Sequence, residues 1–225
     1  TTDALGHASV GSWTLGTTAG SNTLSAASAG LTGSPVAFTA TGTAGSATQI
    51  AISAGDGQTA AAGSTVAIAP AALVRDAFNN PVSGVSVTFA VASGGGSVLG
   101  GSATTNASGI ATVGSWTLGT TAGSNSLTAT SGSLTGSPVT FTATGTAGSA
   151  AVIAINAGDG QSTTVGTAVT TPPQVLVTDQ FSNPVSGVGV TFAVATGGGS
   201  ITGAGATTDA LGHASVGSWT LGTVA

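Results

Sequence analysis

The sequence predicts an all-β chain of tandem β-sandwich modules, and three observations predict it. Segment 104–127, TTNASGIATVGSWTLGTTAGSNSL, nearly repeats segment 1–24, TTDALGHASVGSWTLGTTAGSNTL, and returns at 207–225, which sets a period of 103 residues. Self-similarity at a fixed period marks an array of equivalent structural units. Large apolar residues recur at every second position in short runs, the signature of half-buried strands. Gly, Asn and Pro punctuate those runs, and no helical period appears.

The motif GTAGSA at Gly42 and Gly145 follows the strand-like runs PVAFTAT and PVTFTAT, and the module boundaries are placed there. The chain then holds the C-terminal part of one module (1–41), a complete module (42–144) and the N-terminal part of a third (145–225), which stops 22 positions short of a full period. Nothing between modules reads as a flexible linker, so a stiff rod is expected.

Within the complete module, Ile50 and Ile52 mark a first strand and region 73–76 another. Phe78-Asn79-Asn80-Pro81 and its counterpart Phe181-Ser182-Asn183-Pro184 read as turns, where a short polar side chain bonds local backbone and Pro presets φ. Val85, Val87, Phe89 and Val91 fall on one face of a strand whose other face carries Ser86, Thr88 and Ala90. The runs Gly94-Gly95-Gly96-Ser97 and Gly197-Gly198-Gly199-Ser200 are expected as wide turns at one end of the sandwich. They lack the Lys and helix of a phosphate loop. Asn106-Ala107-Ser108-Gly109 reads as a hairpin turn.

Strict alternation would then put Val113 and Trp116 on opposite faces, so a β-bulge at Gly114-Ser115 is predicted to return both to the core. Leu127 with Ala129, and Val139, Phe141 with Ala143, complete the inward set. Seven or eight short strands in about a hundred residues, with turn signals every 8–12 residues, describe sandwiches of immunoglobulin type.

Composition narrows the function. Charged residues make up 3% of the chain, with Arg75 the single cation, six aspartates and a formal charge of −5. Ordinary soluble domains carry roughly 25%. A chain so poor in cations has nothing to grip phosphates, which argues against nucleic acid as a partner. No apolar run approaches the roughly 18 residues of a membrane span. Zero cysteine removes disulfides and thiolate metal sites.

The order VRD-x-F-x-NPVSGVSVTFAV, GGGS, TTNASGIATVGSWTLGTTAGSNSLTAT, GSPVTFTATGTAG in the middle module resembles bacterial immunoglobulin-like domain 1, the repeat of invasin- and intimin-type surface adhesins. The resemblance covers all three modules. It implies an extracellular rod on a cell surface, commonly the stalk of an adhesin. The Gly114-Ser115 insertion before Trp116 and the near absence of charge depart from that pattern.

Equivalent positions in one chain test each candidate site. His7 and His213 correspond to Ile110, and Arg75 to Thr178, so none is repeated chemistry. Asp56, Asp76, Asp159 and Asp179 do recur and are the candidate calcium ligands, because hard cations take carboxylate oxygens at loop junctions. Calcium wants about 6–8 oxygens, and these carboxylates are isolated in sequence, so acceptance of turn amides is the competing role. Asp3 and Asp209 correspond to Asn106, an exchange that suits turn formers. Trp13, Trp116 and Trp219 are equivalent and are expected as core anchors; the competing role is sugar stacking.

There is no Cys, Glu, Lys or Tyr, no His in the complete module, and no nucleophile elbow, so no enzyme is expected. The expected function is a structural spacer in a long extracellular, cell-surface protein, its partners being the neighbouring modules of the same chain. One alternative is a binding module that recognises glycan or host protein through its end loops. Another is a filament subunit: a chain that opens with the back of a module and closes with the front of one can complete split modules head-to-tail with identical subunits by strand donation. Against it stands the match of residues 1–19 to 207–225, except at Thr18 against Val224, since those positions would be supplied twice.

Overall fold

The computed structural model describes residues 1–224. The described residues form strands, turns and irregular segments, with no helix. The complete sandwich lies in the middle of the chain. Its strands are β3 (Gln49–Ala54), β4 (Gln58–Ala61), β5 (Ala71–Arg75), β6 (Ser86–Ser93), β7 (Gly96–Leu99), β8 (Ser102–Thr104), β9 (Ile110–Thr112), β10 (Ser115–Leu118), β11 (Gly123–Thr130) and β12 (Val139–Thr146). One sheet has the order β4-β12-β11-β6-β8, in which β4 and β12 run parallel and the other pairs antiparallel. Facing it are β3-β5-β9 and the pair β7-β10.

The period-two reading of the sequence fixes what meets between these layers. Val87 and Phe89 from β6, Leu127 and Ala129 from β11, and Phe141 and Ala143 from β12 are buried against Val74, Ala111, Val113 and Trp116. Leu118 and Ile50 close the same cluster. Phe89 and Phe141 meet as a tilted aromatic pair with ring centroids 6.2 Å apart. Trp116 is fully buried, as an anchor rather than a sugar platform.

Two turn expectations are corrected. Val113 and Trp116 both reach the core, but no bulge takes them there: β9 pairs with β5 and β10 with β7, so the chain changes sheet at Val113-Gly114. Gly114 makes that crossing because a Cβ there would lie 2.8 Å from the Leu99 carbonyl oxygen. The Gly94-Gly95 turn is tight, not wide. It leads from β6 directly into β7, and a Cβ on Gly119 would lie 1.8 Å from the Gly94 carbonyl oxygen. The left-handed φ of Gly94, Gly95 and Gly96 (83°, 76° and 88°) and the close approach of two backbones at Gly96 and Gly119, rather than loop length, explain the glycines.

The flanking modules are partial copies. Before the sandwich lies a hairpin of β1 (Gly20–Ala26) and β2 (Val36–Gly42), in the register that β11 and β12 adopt. After it come β13 (Val152–Ala157), β14 (Gln174–Thr178), β15 (Gly189–Thr191), β16 (Gly199–Thr202), β17 (Gly205–Thr207), β18 (His213–Ser215) and β19 (Ser218–Leu221). The sheet β13-β14-β18 repeats β3-β5-β9, and the pairs β15-β17 and β16-β19 repeat β6-β8 and β7-β10.

Candidate functional site at the module joint

The recurrent aspartates divide into two kinds. Asp76 and Asp179 are buried at the two junctions between modules, whereas Asp56 serves the interior of the middle module. There the Asp56 carboxylate accepts the Thr142 amide at 2.7 Å and the Thr142 hydroxyl at 2.9 Å, which ties the β3–β4 turn to β12. The Thr142 amide is the main reason its pKa falls below the ordinary value. Asp159, its counterpart in the third module, has no such strand beside it.

Each junction is built from one loop. In the sequence D-x-F-x-N-P, Asp179 Oδ1 accepts the amides of Phe181 at 2.8 Å and Asn183 at 2.9 Å, and Oδ2 accepts the Gly148 amide at 2.8 Å and Asn183 Nδ2 at 2.9 Å. These four donors fold the loop, holding Ser182 at φ 67°, a left-handed conformation that a side chain adopts only under constraint. Asn183 then reaches across to the preceding module: its Oδ1 accepts the Ala122 amide at 2.7 Å, and its Nδ2 donates to the Thr120 carbonyl at 2.8 Å. Every polar hydrogen of that amide is used.

The other junction repeats the arrangement. Asp76 accepts Phe78, Asn80 and Gly45 amides and Asn80 Nδ2 at 2.8–2.9 Å. Asn80 accepts the Ala19 amide at 2.8 Å and donates to the Thr17 carbonyl at 2.8 Å. Asn79 takes the same φ of 67° as Ser182. An apolar contact accompanies the polar one at the second junction. A Cβ on Gly63, whose own φ is +74°, would lie 2.8 Å from Cε2 of the Phe181 ring, so only glycine lets the ring seat there. Phe181 is 40% exposed against 64% for Phe78.

The electrostatics follow from the donors. The Asn80 side-chain amide, with the Gly45, Asn80 and Phe78 backbone amides, holds the Asp76 carboxyl at about 2 against the opposing pull of burial. At Asp179 burial is the largest single influence and pushes upward, yet Asn183, Gly148 and Phe181 together outweigh it and bring the group to about 2.

This chemistry does not suit calcium. Both oxygens of Asp76 and of Asp179 already face N–H donors, and a cation would have to displace them to gain one carboxylate where it needs about 6–8 oxygens. Among the described residues no three His, Cys, Asp or Glu side chains gather into a metal-binding group. An open groove of about 360 Å³ beside the second junction is lined by Ser64, Ser149, Gln180 and Phe181, and by an Asp179 committed to the loop. We therefore expect the melting temperature to be the same in excess calcium and in chelator. Calorimetry checks this, and a rise of several degrees with calcium would count against it.

The remaining polar candidates are turn formers. Asp3, Asn106 and Asp209 each accept the amides two and four residues on, at 2.8–3.1 Å. His7 is exposed, its Nδ1 3.6 Å from Asp3. Sequence reasoning took Asn80 and Asn183 for local turn residues and missed their reach between modules. The signal was present: Asp and Asn recur four apart in both loops while Ala77 against Gln180 and Asn79 against Ser182 vary.

No protein family matches the sequence, and neither does any curated protein. Solved structures do match. The Escherichia coli adhesin FdeC is 19% identical, with a TM-score of 0.51; the match covers 87% of this chain and 64% of that one. InvD of Yersinia pseudotuberculosis is 17% identical over 92% of this chain and 62% of its own, with a TM-score of 0.46. The adhesin InvE of the same organism is 22% identical over 76% of this chain and 51% of its own, with a TM-score of 0.38.

Proposed function

We propose that this chain, whose fold is the tandem immunoglobulin-like fold of bacterial surface adhesins, is a spacer: a stiff segment of an extracellular stalk, without catalytic activity. The observation that carries the reading is the duplicated joint. A chain selected for reach needs each module fixed to the next, and the same Asp–Asn clamp grips the preceding module's turn at Thr17–Ala19 and again at Thr120–Ala122. With boundaries placed at Gly42 and Gly145, each clamp also takes the amide three residues beyond a boundary, that of Gly45 or Gly148. A ligand-binding module would instead concentrate unsatisfied polar groups in a cavity, whereas here the buried carboxylates are spent on backbone amides.

Each module contributes roughly 30–40 Å of length, from strands of up to ten residues at about 3.3 Å each. Small-angle scattering is expected to show an extended particle, and Asn80→Ala with Asn183→Ala together to shorten its maximum dimension and broaden its distance distribution. An unchanged profile for the double variant would remove the clamp as the source of stiffness. Saturable binding by this fragment on a glycan array or to cells would favour the adhesive alternative.

A further inference from the structure

The chain enters the middle sandwich at one end and leaves it at the other, and the two segments that do so run side by side in the same direction. Gln49, at the start of β3, is bridged in parallel to Thr135. β4 then pairs in parallel with β12, from Gln58 beside Ala143 to Ala61 beside Thr146. The entering segment 48–62 therefore lies along the leaving segment 135–146, in a sandwich whose other paired strands are all antiparallel.

Bonds fasten this seam at its entry, its middle and its exit. At the entry, Ile50 N–H donates to the Thr135 carbonyl at 3.0 Å and Thr135 N–H to that of Thr48 at 2.9 Å. Gly136 lets the two backbones close there, since a Cβ on it would lie 2.5 Å from the Ile50 carbonyl oxygen. In the middle, Gly57 N–H donates to the Thr142 carbonyl at 3.0 Å, and the Thr142 amide and hydroxyl are both held by the Asp56 carboxylate. At the exit, Ala62 N–H donates to the Thr146 carbonyl at 2.8 Å. The turn between β3 and β4 is itself anchored. Gln58 Nε2 donates to the Gly55 carbonyl at 2.8 Å and the Ile68 carbonyl at 2.7 Å, and its Oε1 accepts the Ile68 amide at 2.8 Å. A pull that strips β3 from β5 still meets β4.

We propose that this parallel seam is the force-bearing element of the module: tension along the chain drives segments 48–62 and 135–146 past one another, and their bonds must give way together before the module opens. The direction of the bonds is the reason. Sheet hydrogen bonds run across the strands, so sliding two strands lengthwise loads all of them at once, whereas lifting one strand from its end loads only the outermost. Parallel first and last strands put the two points of traction at opposite ends of the seam, which is the sliding case. Forced unfolding follows the unfolding rate rather than the equilibrium stability, so the seam sets the lifetime of the module under load. The proposal deepens the spacer reading and rests on it only for the direction from which load arrives.

Because the chain has no cysteine, paired thiols can choose the direction of pull in the full chain. Ser46→Cys with Ser149→Cys attaches handles at exposed positions before β3 and after β12, and loads the seam in shear. Ser64→Cys, also exposed, with Ser149→Cys attaches both handles at the Ala62–Thr146 end and peels it. Optical-tweezer unfolding is expected to need several-fold more force for the first pair than for the second. Asp56→Ala removes both side-chain bonds to Thr142 and should lower the shear force while leaving the peeling force, set at the Ala62 end, at its parent value. A merely structural role for Asp56 would lower the two in proportion. Equal forces in the two directions, or a proportionate loss in both with Asp56→Ala, would overturn the proposal. Neither result touches the spacer reading, which falls with a compact scattering profile, and a compact profile leaves the contrast between shear and peel intact.

Discussion

Trp116→Ala is expected to lower the melting temperature of the middle module by roughly 15–30 °C, from about 3–5 kcal/mol for removing a fully buried aromatic side chain. The indole is fully buried where the chain crosses between sheets, and Val113, Leu127 and Phe141 are buried in the same cluster. Truncation leaves a cavity that strands held by two ladders cannot collapse. The neighbouring modules provide an internal control in the same polypeptide. Trp219 and Trp13 are only half-buried in their open modules, so Trp219→Ala and Trp13→Ala should shift the main transition little. The indole Nε1 of Trp116 has no hydrogen-bond partner, and an unpaired buried donor costs about 1–3 kcal/mol. Trp116→Phe should accordingly cost less than its lost volume suggests. Differential scanning calorimetry of the four variants reads this order directly, and equal effects at the three tryptophans would contradict the burial argument.

That contrast also shows what a single repeat period makes legible. Period-two alternation identified the inward residues of β6, β11 and β12, because side chains alternate faces whatever the sheet order. It could not tell which sheet a strand joins. The chain's change of sheet at Gly114 and a bulge at the same residue produce identical inward sets, and only the hydrogen-bond partners of β9 and β10 separate them. Tight apposition of Gly94 and Gly119, 25 residues apart in sequence, was invisible for the same reason: it is a contact between backbones, and nothing in either glycine names its partner. Strand length proved to depend on neighbours too, as β15 and the stretch after Asp159 show when compared with β6 and β4. The joint lay in between. Its residues were picked out as turn formers with Asp correctly assigned to backbone amides, but Asn183 looks equally local until Thr120 and Ala122 are placed beside it.

The joint should be the part of this molecule that acid undoes. Asp76 and Asp179 both sit at about 2 in the folded chain against an ordinary 3.8, so folding favours their charged forms. A depressed pKa gives stabilisation that is complete above the unfolded value and is lost as pH falls through the folded one. Melting temperature and maximum dimension should therefore stay level from neutral pH down to about 4 and decline between about 4 and 2. The geometry explains why the loss reaches the neighbouring module. A proton on Oδ2 of Asp179 would face Gly148 N–H and Asn183 Nδ2–H, donor against donor, and Asn183 is the side chain that holds Thr120 and Ala122. Asp179→Asn imposes that same conflict at neutral pH while leaving Oδ1 free to accept the Phe181 and Asn183 amides, as the Asn106 side chain does in its own turn. The variant with both Asp76→Asn and Asp179→Asn should keep its modules folded, scatter as a more flexible particle at pH 7, and lose most of the wild-type decline between about pH 4 and 2. Asp56 and Asp209 also lie below their ordinary values, so a residual slope in that variant measures the turns alone. If wild type and variant showed the same acid profile, the joint carboxylates would not be the groups that couple pH to the rod.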